Sequence, residues 1–247
     1  MISPTILPTA LVTGGARRLG AAIVRSLASA GYRVAIHCHT SRADAEQLAA
    51  ETGGVVVQAD LADEAAVKTL LPAATAALGP IGVLVNNAST FERDEWDTAT
   101  RSSWDAHLEP NLRAPFVLMQ AFAAQLPPDS QGAIINLLDQ RVWSLTPHFV
   151  SYTVSKAALW ALTQQMALAL APRIRVNAIG PGPALPSSRQ TEAQFAAMCA
   201  RMPLARGTSP GEVASAVLAI LALPSMTGQM IALDGGQHLA WGQAYAE

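Results

Sequence analysis

Tyr152, Lys156 and Asp139 are the residues of this chain whose types and spacing suit proton transfer. Tyr152 and Lys156 stand four apart in "SYTVSKAALWALTQQMALAL" (151–170), whose spacing predicts a long amphipathic helix. Positions i and i+4 share a helix face, one turn apart. An ammonium beside a phenol favours phenolate and lowers the phenol's pKa, which makes Tyr152 a candidate general acid near neutral pH. Such pairs also arise by chance on surface helices, so the pair alone is a weak sign. Asp139 ends the apolar run "IINLLD" (134–139). A carboxylate at the rim of a buried strand is costly unless it is paired, solvated or used. It could cap a local turn or join the chemistry.

A second constellation suits a phosphate. "LVTGGARRLG" (11–20) joins a strand to a helix. Gly14 and Gly15 allow a tight turn and close approach of the backbone to a pyrophosphate, and the helix N-terminus offers free N–H groups. Glycine-rich turns also serve packing; the place of this one, in the first βα unit, favours the nucleotide reading. A dinucleotide fold that prefers NAD carries an acid at the end of its second strand. Here that position is Cys38, and no acid appears before Asp44; "HCHTSR" supplies His39, Thr40, Ser41 and Arg42 instead. Donors and a guanidinium favour a 2'-phosphate, hence NADP(H). The same residues also read as an ordinary solvated strand end. His37 and His39 share a strand face, but no third ligand is in view, so no metal site is expected.

The elements that must hold these groups alternate. Strand-like runs fall at 10–15, 33–39, 54–60, 81–88, 132–139, 173–180 and 229–236. Helical stretches lie near 18–30, 42–52, 63–78, 101–126, 152–171 and 190–222, the last interrupted at "PLARGTSP". This pattern predicts an α/β chain, residues 1–247 as a single-domain, doubly wound Rossmann fold: a seven-stranded parallel sheet with helices on both faces. Ligands bind at the carboxyl ends of such strands, and six ends here ("TGG", "HCH", "QAD", "NNAS", "LLDQ", "IGPGP") are small, polar or rich in Gly and Pro.

The 247 residues are 51% hydrophobic and 14% charged, which argues against disorder. A net charge of -2 gives no basic field for nucleic acid or an anionic membrane. Two cysteines, Cys38 and Cys199, lie far apart, as in a reduced compartment. "MISPTILPTALVTGG" lacks the charged start of a signal peptide, and "VASAVLAILALP" is too short to span a bilayer. A soluble cytoplasmic protein is expected.

Taken together, "TGGARRLG", "QAD" ending at Asp60, "NNAS" (86–89), Asn111 in "EPNLRAPF", "YTVSK" (152–156), "RVNAIGPG" (175–182) and "LDGG" (233–236) resemble the short-chain dehydrogenase/reductase family over essentially the whole chain. The resemblance implies roles. Tyr152 would donate the proton. Lys156 would bind the nicotinamide ribose and depress the tyrosine pKa. Asn111 would hold a water in a relay through Lys156. Gly14, Arg17, Arg18 and Leu19 would meet the cofactor phosphates, with His39, Thr40 and Ser41 at the ribose end. Asp60 and Leu61 would sit at the adenine, Asn87, Ala88 and Ser89 along the adenosine and ribose, and Pro181 and Gly182 beside the nicotinamide. It also implies a homotetramer and a substrate lid at about 183–209, where Leu185, Met198 and Met202 read as lid or as core; the helices at 101–126 and 152–171 are themselves too apolar for one-sided burial, which points to subunit contacts there.

Two positions depart from the common family pattern. Arg18 replaces the middle glycine of the phosphate loop, and Asp139, thirteen positions before Tyr152, replaces a serine that binds a substrate carbonyl. A carboxylate facing a developing alkoxide opposes the transition state, so either an ordinary carbonyl reductase has decayed or the substrate differs. Addition of hydride to C=N leaves a nitrogen that needs a proton, which Asp139 suits. Both departures resemble the pteridine reductases and bacterial dihydromonapterin reductases, as do "NNASTF" and "LDGGQHLAW". That likeness implies a pterin substrate stacked on Phe91, with Arg18 reaching cofactor and substrate. Phe91 as loop packing and Arg18 as a surface charge stay open. So do two other functions: reduction of a non-pterin carbonyl or imine, and a dinucleotide-binding regulator without catalysis. Thr40 stands where pteridine reductases often have Arg; Arg42 could compensate.

Overall fold

Runs of Val, Ile and Leu without polar alternation suit strands covered on both faces. A computed structural model, describing residues 6–187 and 190–239, buries them so. The strands are β1 (Thr9–Val12), β2 (Arg33–Cys38), β3 (Val55–Gln58), β4 (Val83–Asn86), β5 (Gly132–Leu137), β6 (Ile174–Pro181) and β7 (Met230–Leu233). They form one parallel sheet of seven strands in the order β3-β2-β1-β4-β5-β6-β7. The helices are α1 (Arg18–Ser29), α2 (Arg42–Thr52), α3 (Glu64–Leu78), α4 (Arg101–Leu108), α5 (Ala114–Gln125), α6 (Val150–Leu170), α7 (Glu192–Ala200) and α8 (Pro210–Ala222). Successive strand residues face opposite ways. Leu11, Ala35, Leu84 and Ile134 pack with α3, α5 and α6. Their neighbours Ala10, Val34, Val83 and Ile135 pack with α1, α2 and α8. The expected doubly wound α/β fold is the one observed.

The stretch expected as one helix over 101–126 is three pieces. Between α4 and α5 lies a π-helical turn, Glu109–Arg113. Pro110 has no N–H to give a regular helix and crowds the preceding turn, and a π turn accommodates the extra residue. Asn111 sits inside it, wholly buried.

The strand order reverses at β1, which pairs with β2 on one side and β4 on the other. A crevice opens there at the carboxyl ends. Just beneath it, Asn86 Nδ2 donates to Asn136 Oδ1 at 2.8 Å and Asn136 Nδ2 donates to Thr163 Oγ1 at 2.9 Å. This buried relay of amides ties β4, β5 and α6 where the catalytic candidates emerge. Among the described residues, no helix is long and apolar enough to cross a membrane.

Candidate active site

The phosphate loop is braced from both sides. Gly14 has φ 59°, a left-handed conformation that favours glycine. Its N–H donates to His37 Nδ1 at 3.0 Å, and His37 Nε2 faces the carbonyl of Ala59 at 3.1 Å. The ring therefore carries its proton on Nε2 and clips the loop to the end of β3. It is no metal ligand, and no cluster of three or more ligating residues occurs among the described residues. From the other side, Asn87 Nδ2 donates to the carbonyls of Thr13 (2.8 Å) and Gly14 (3.1 Å). Thr13 Oγ1 accepts from the N–H groups of Asn87 and Ala88. The N-terminus of α1 has no side-chain cap and no acid in its first turn, so no side chain of its own occupies its first N–H groups.

Burial brings His37 down to about 4, below its ordinary 6.5. The folded state thus holds it neutral while the unfolded chain takes up a proton. Its contribution is present above pH 6.5 and is lost as pH falls toward 4. Acidification across that window is expected to destabilise the protein by about 3 kcal/mol from this group. His37→Gln should flatten that part of a plot of unfolding free energy against pH; an unchanged slope would remove His37 as its source.

Arg18 sits at φ 52°, in the left-handed region that a glycine would occupy without strain. Its Nη1 and Nη2 each donate to the carbonyl of Pro186 at 3.2 Å. The loop therefore touches the 183–209 segment through Arg18, an exposed residue at the start of α1. Arg17 is exposed and paired with Asp44 (Nε–Oδ2 2.7 Å). Beyond β2, His39 and Thr40 are exposed and Ser41 precedes α2. His39 Nε2 lies 3.8 Å from Asp60 Oδ2. Arg42, expected as a phosphate partner, is already held by Glu46 (2.7 Å) and Gln58 (3.1 Å). Leu61 is buried, Ser89 exposed, and Gly182 is joined to β7 through its N–H to Leu233.

The reactive groups converge at the ends of β5 and α6. Tyr152 Oη donates to Asp139 Oδ2 at 3.1 Å. Asp139 Oδ1 accepts the backbone N–H of Arg141 at 2.8 Å, capping a 3-10 turn, Gln140–Val142. Asp139 therefore does both things open to it: one oxygen caps the turn and the other meets the phenol. Lys156 Nζ, wholly buried, donates to the carbonyl of Leu137 at 2.8 Å. Burial lowers the ammonium to about 8.

The expectation that Lys156 depresses the tyrosine pKa is not met here. Burial first, and then the Asp139 charge, push the Tyr152 phenol well above 10, against a smaller downward pull from Arg141. The carboxylate is the nearest charge to Oη, while the ammonium is turned toward a carbonyl. Tyr152 is held as a neutral phenol, able to donate.

Asn111 departs in a similar way. Its Nδ2 donates to Thr90 O (3.0 Å) and Ser155 Oγ (3.1 Å), and its Oδ1 accepts from Thr90 N–H (2.8 Å). One amide N–H and one lone pair thus fix Thr90, the residue before Phe91, and the other N–H is spent on Ser155 of α6, which leaves a relay through the side chain a single lone pair.

Phe91 lies against Tyr152 edge-on (centroids 4.6 Å, 66°) and stacks on Phe149 (4.7 Å, 11°). Phe149 adopts φ 59°, a strained conformation for an aromatic residue. It is held by its N–H to Asp94 O at 2.9 Å. Asp94 also accepts from the backbone and hydroxyl of Ser151, whose oxygen meets His107 Nδ1 at 2.7 Å; His107 Nε2 takes the Glu92 N–H at 3.0 Å. With Nε2 accepting, this Asp–Ser–His set is a brace that fixes the Phe91 loop against α6, and no activated nucleophile. A cavity of about 460 Å³ opens over these groups, lined by Arg18, Phe91, Asp139, Gln140, Arg141 and Phe149, with Leu185, Ser187, Gln190 and Met198 from the segment expected as a lid. Met202 is core instead. Residues 188 and 189 of that segment, and "AW" of "LDGGQHLAW", lie outside the described residues.

Residues 14–238 match the family model described as Enoyl-(Acyl carrier protein) reductase. The chain belongs to the short-chain dehydrogenase/reductase family. A solved structure of FolM Alternative dihydrofolate reductase 1 from Brucella canis, complexed with NADP, is 46% identical, superposes with a TM-score of 0.94 and covers 98% of each chain. Pteridine reductase 1 of Leishmania tarentolae is 33% identical over 289 residues, covering 96% of this chain and 98% of its own. Probable galactose dehydrogenase GalD of Rhizobium meliloti (strain 1021) is 36% identical over 238 residues, covering 92% and 93%. The family and its oxidoreductase chemistry, with the likeness to pteridine reductases, accord with the sequence reading. That reading weighed His37 only as a metal ligand and missed its place against the loop, and it missed Phe149, Arg141 and the Asp94–Ser151–His107 brace. Only "IH" at a strand end marked the first; nothing local in the sequence marks a left-handed Phe149.

Proposed function

We propose that the protein is an NADPH-dependent reductase of a pterin C=N bond, of the dihydropteridine, dihydromonapterin or dihydrofolate type. The observation that carries this reading is the Tyr152–Asp139 hydrogen bond beside an aromatic wall. A carbonyl reductase wants only donors at that position. A carboxylate paired with a phenol suits a ring with N–H groups to be held and a nitrogen to be protonated. The NADP-bound relative supports the cofactor.

The braced loop and uncapped α1 would hold the cofactor's pyrophosphate through Gly14, Arg17, Arg18 and Leu19. His39, Thr40 and Ser41 would meet the 2'-phosphate, Asp60 and Leu61 the adenine, and Asn87, Ala88 and Ser89 the ribose path. Pro181 and Gly182 would flank the nicotinamide and Lys156 its ribose. NADPH supplies the hydride. Tyr152 and Asp139 together hold the proton that the ring nitrogen takes, and the Lys156 charge offsets the negative charge left behind. Phe91 gives the flat ring a face to lie on, and residues 183–209 close over it. This reading includes a cytoplasmic homotetramer; the exposed Val154 and Leu168 on α6 support the contact.

Purified protein is expected to oxidise NADPH, followed at 340 nm, with dihydrobiopterin, dihydromonapterin or dihydrofolate. The GalD likeness favours a second reading, a non-pterin carbonyl as substrate. Turnover of ketones or aldehydes and of no pterin would establish that second reading and overturn the first.

A further inference from the structure

Arg141 brings more donors into the cavity wall than the protein uses. Its side chain is 15% exposed, and its nearest carboxylate oxygen, Asp139 Oδ1, stands 3.8 Å from Nε, too far for a hydrogen bond. That oxygen is taken by Arg141's own backbone N–H. Nε and Nη1 are buried and have no hydrogen-bond partner among the described residues. Three rings surround the guanidinium, with Cζ 5.1 Å from the centroid of Phe149, 5.7 Å from Tyr152 and 5.8 Å from Phe91. Rings attract the charge but take up few of five N–H donors.

The preceding residue shows the complementary lack. Gln140 is 4% exposed, and its Oε1 is buried without a partner. Both residues line the cavity beside Asp139 and Phe91. Buried donors and acceptors left unfilled are unfavourable. Unmatched polar atoms of both kinds, on consecutive residues in a cavity wall, mark a place completed by a ligand.

We propose that Arg141 and Gln140 read the cyclic-amide edge of the substrate ring. Arg141 donates to the ring carbonyl oxygen, and Gln140 accepts from the adjacent ring N–H. The assignment rests on the pterin reading above and specifies which pterins fit it. An amino group in place of the carbonyl sets a donor against the guanidinium, so the site favours 4-oxo pterins over 2,4-diamino analogues.

The test compares wild type, Arg141→Met and Arg141→Lys, using a 4-oxo dihydropterin as substrate and 2,4-diaminopteridine as competitive inhibitor. NADPH binding by fluorescence checks that each variant is folded. Arg141→Met is expected to raise KM for the 4-oxo substrate roughly 10- to 100-fold, with a smaller change in kcat and with Ki for the diamino compound held within about three-fold. Arg141→Lys, which keeps the charge without the planar fork, should recover part of the loss. Where the wild type turns over pterin, equal losses for both ligands or an unchanged KM in Arg141→Met overturn the role of Arg141 and leave the pterin reading standing. A wild type that turns over no pterin overturns both.

Discussion

Tyr152→Phe is expected to lower kcat for pterin reduction by about 100- to 10,000-fold, the usual range for removing a general acid. The ring itself should stay in place, because its contacts with Phe91 and His107 are made by carbon and not by the hydroxyl. NADPH binding should therefore remain near wild type, measured by fluorescence, while single-turnover oxidation collapses. A loss under ten-fold would remove Tyr152 as the proton source. The wild-type pH profile carries the same argument further. The phenol is held neutral well above pH 10, so its own titration sets no limit near neutrality. Lys156 does: with its ammonium brought to about 8, kcat/KM should fall as pH rises through that value, because the deprotonated amine no longer offsets the negative charge left on the proton-donating pair.

How the phenol comes to be held neutral separates what the sequence displays from what it hides. Spacing within an element is legible. Tyr152 and Lys156 share a face because they are one helical turn apart, and the alternation of strands and helices dictates a parallel sheet whose carboxyl ends gather the loops. Distances between elements are not legible in the same way. Lys156 Nζ stands 5.9 Å from the centre of the Tyr152 ring but gives its hydrogen bond to the Leu137 carbonyl, so burial and Asp139 decide the tyrosine's pKa. His37 reads in the sequence as one of a pair of strand-end histidines too few for a metal, and it acts as a clip on the phosphate loop, because its partners come from the loop after β1 and from the residue after β3. Arg42 looks available for a phosphate until α2 and β3 place Glu46 and Gln58 against it. Backbone conformation is the least visible. Arg18 in place of glycine announces an unusual loop, but nothing announces that Phe149 will adopt a left-handed conformation and stack on Phe91.

Asp139→Ser is the substitution that separates reduction of C=N from reduction of C=O. It tests the chemistry cleanly because serine is as good a cap as aspartate for the 3-10 turn, so the bond to the Arg141 N–H survives. What disappears is the second oxygen, the one that accepts from Tyr152. Without it the phenol loses its partner, and the ring nitrogen loses a group able to hold and pass a proton. Pterin kcat/KM is expected to fall about 100-fold or more. Asp139→Asn, which keeps the shape and the cap and removes the charge and proton capacity, should fall by a similar factor. If the protein is instead a carbonyl reductase that tolerates its aspartate, Asp139→Ser should gain ketone turnover, because a hydroxyl donor now faces the developing alkoxide where a carboxylate opposed it. Steady-state rates for one pterin and one ketone, on wild type and both variants, decide the matter. Pterin turnover that survives both substitutions would leave Asp139 as a turn cap and nothing more.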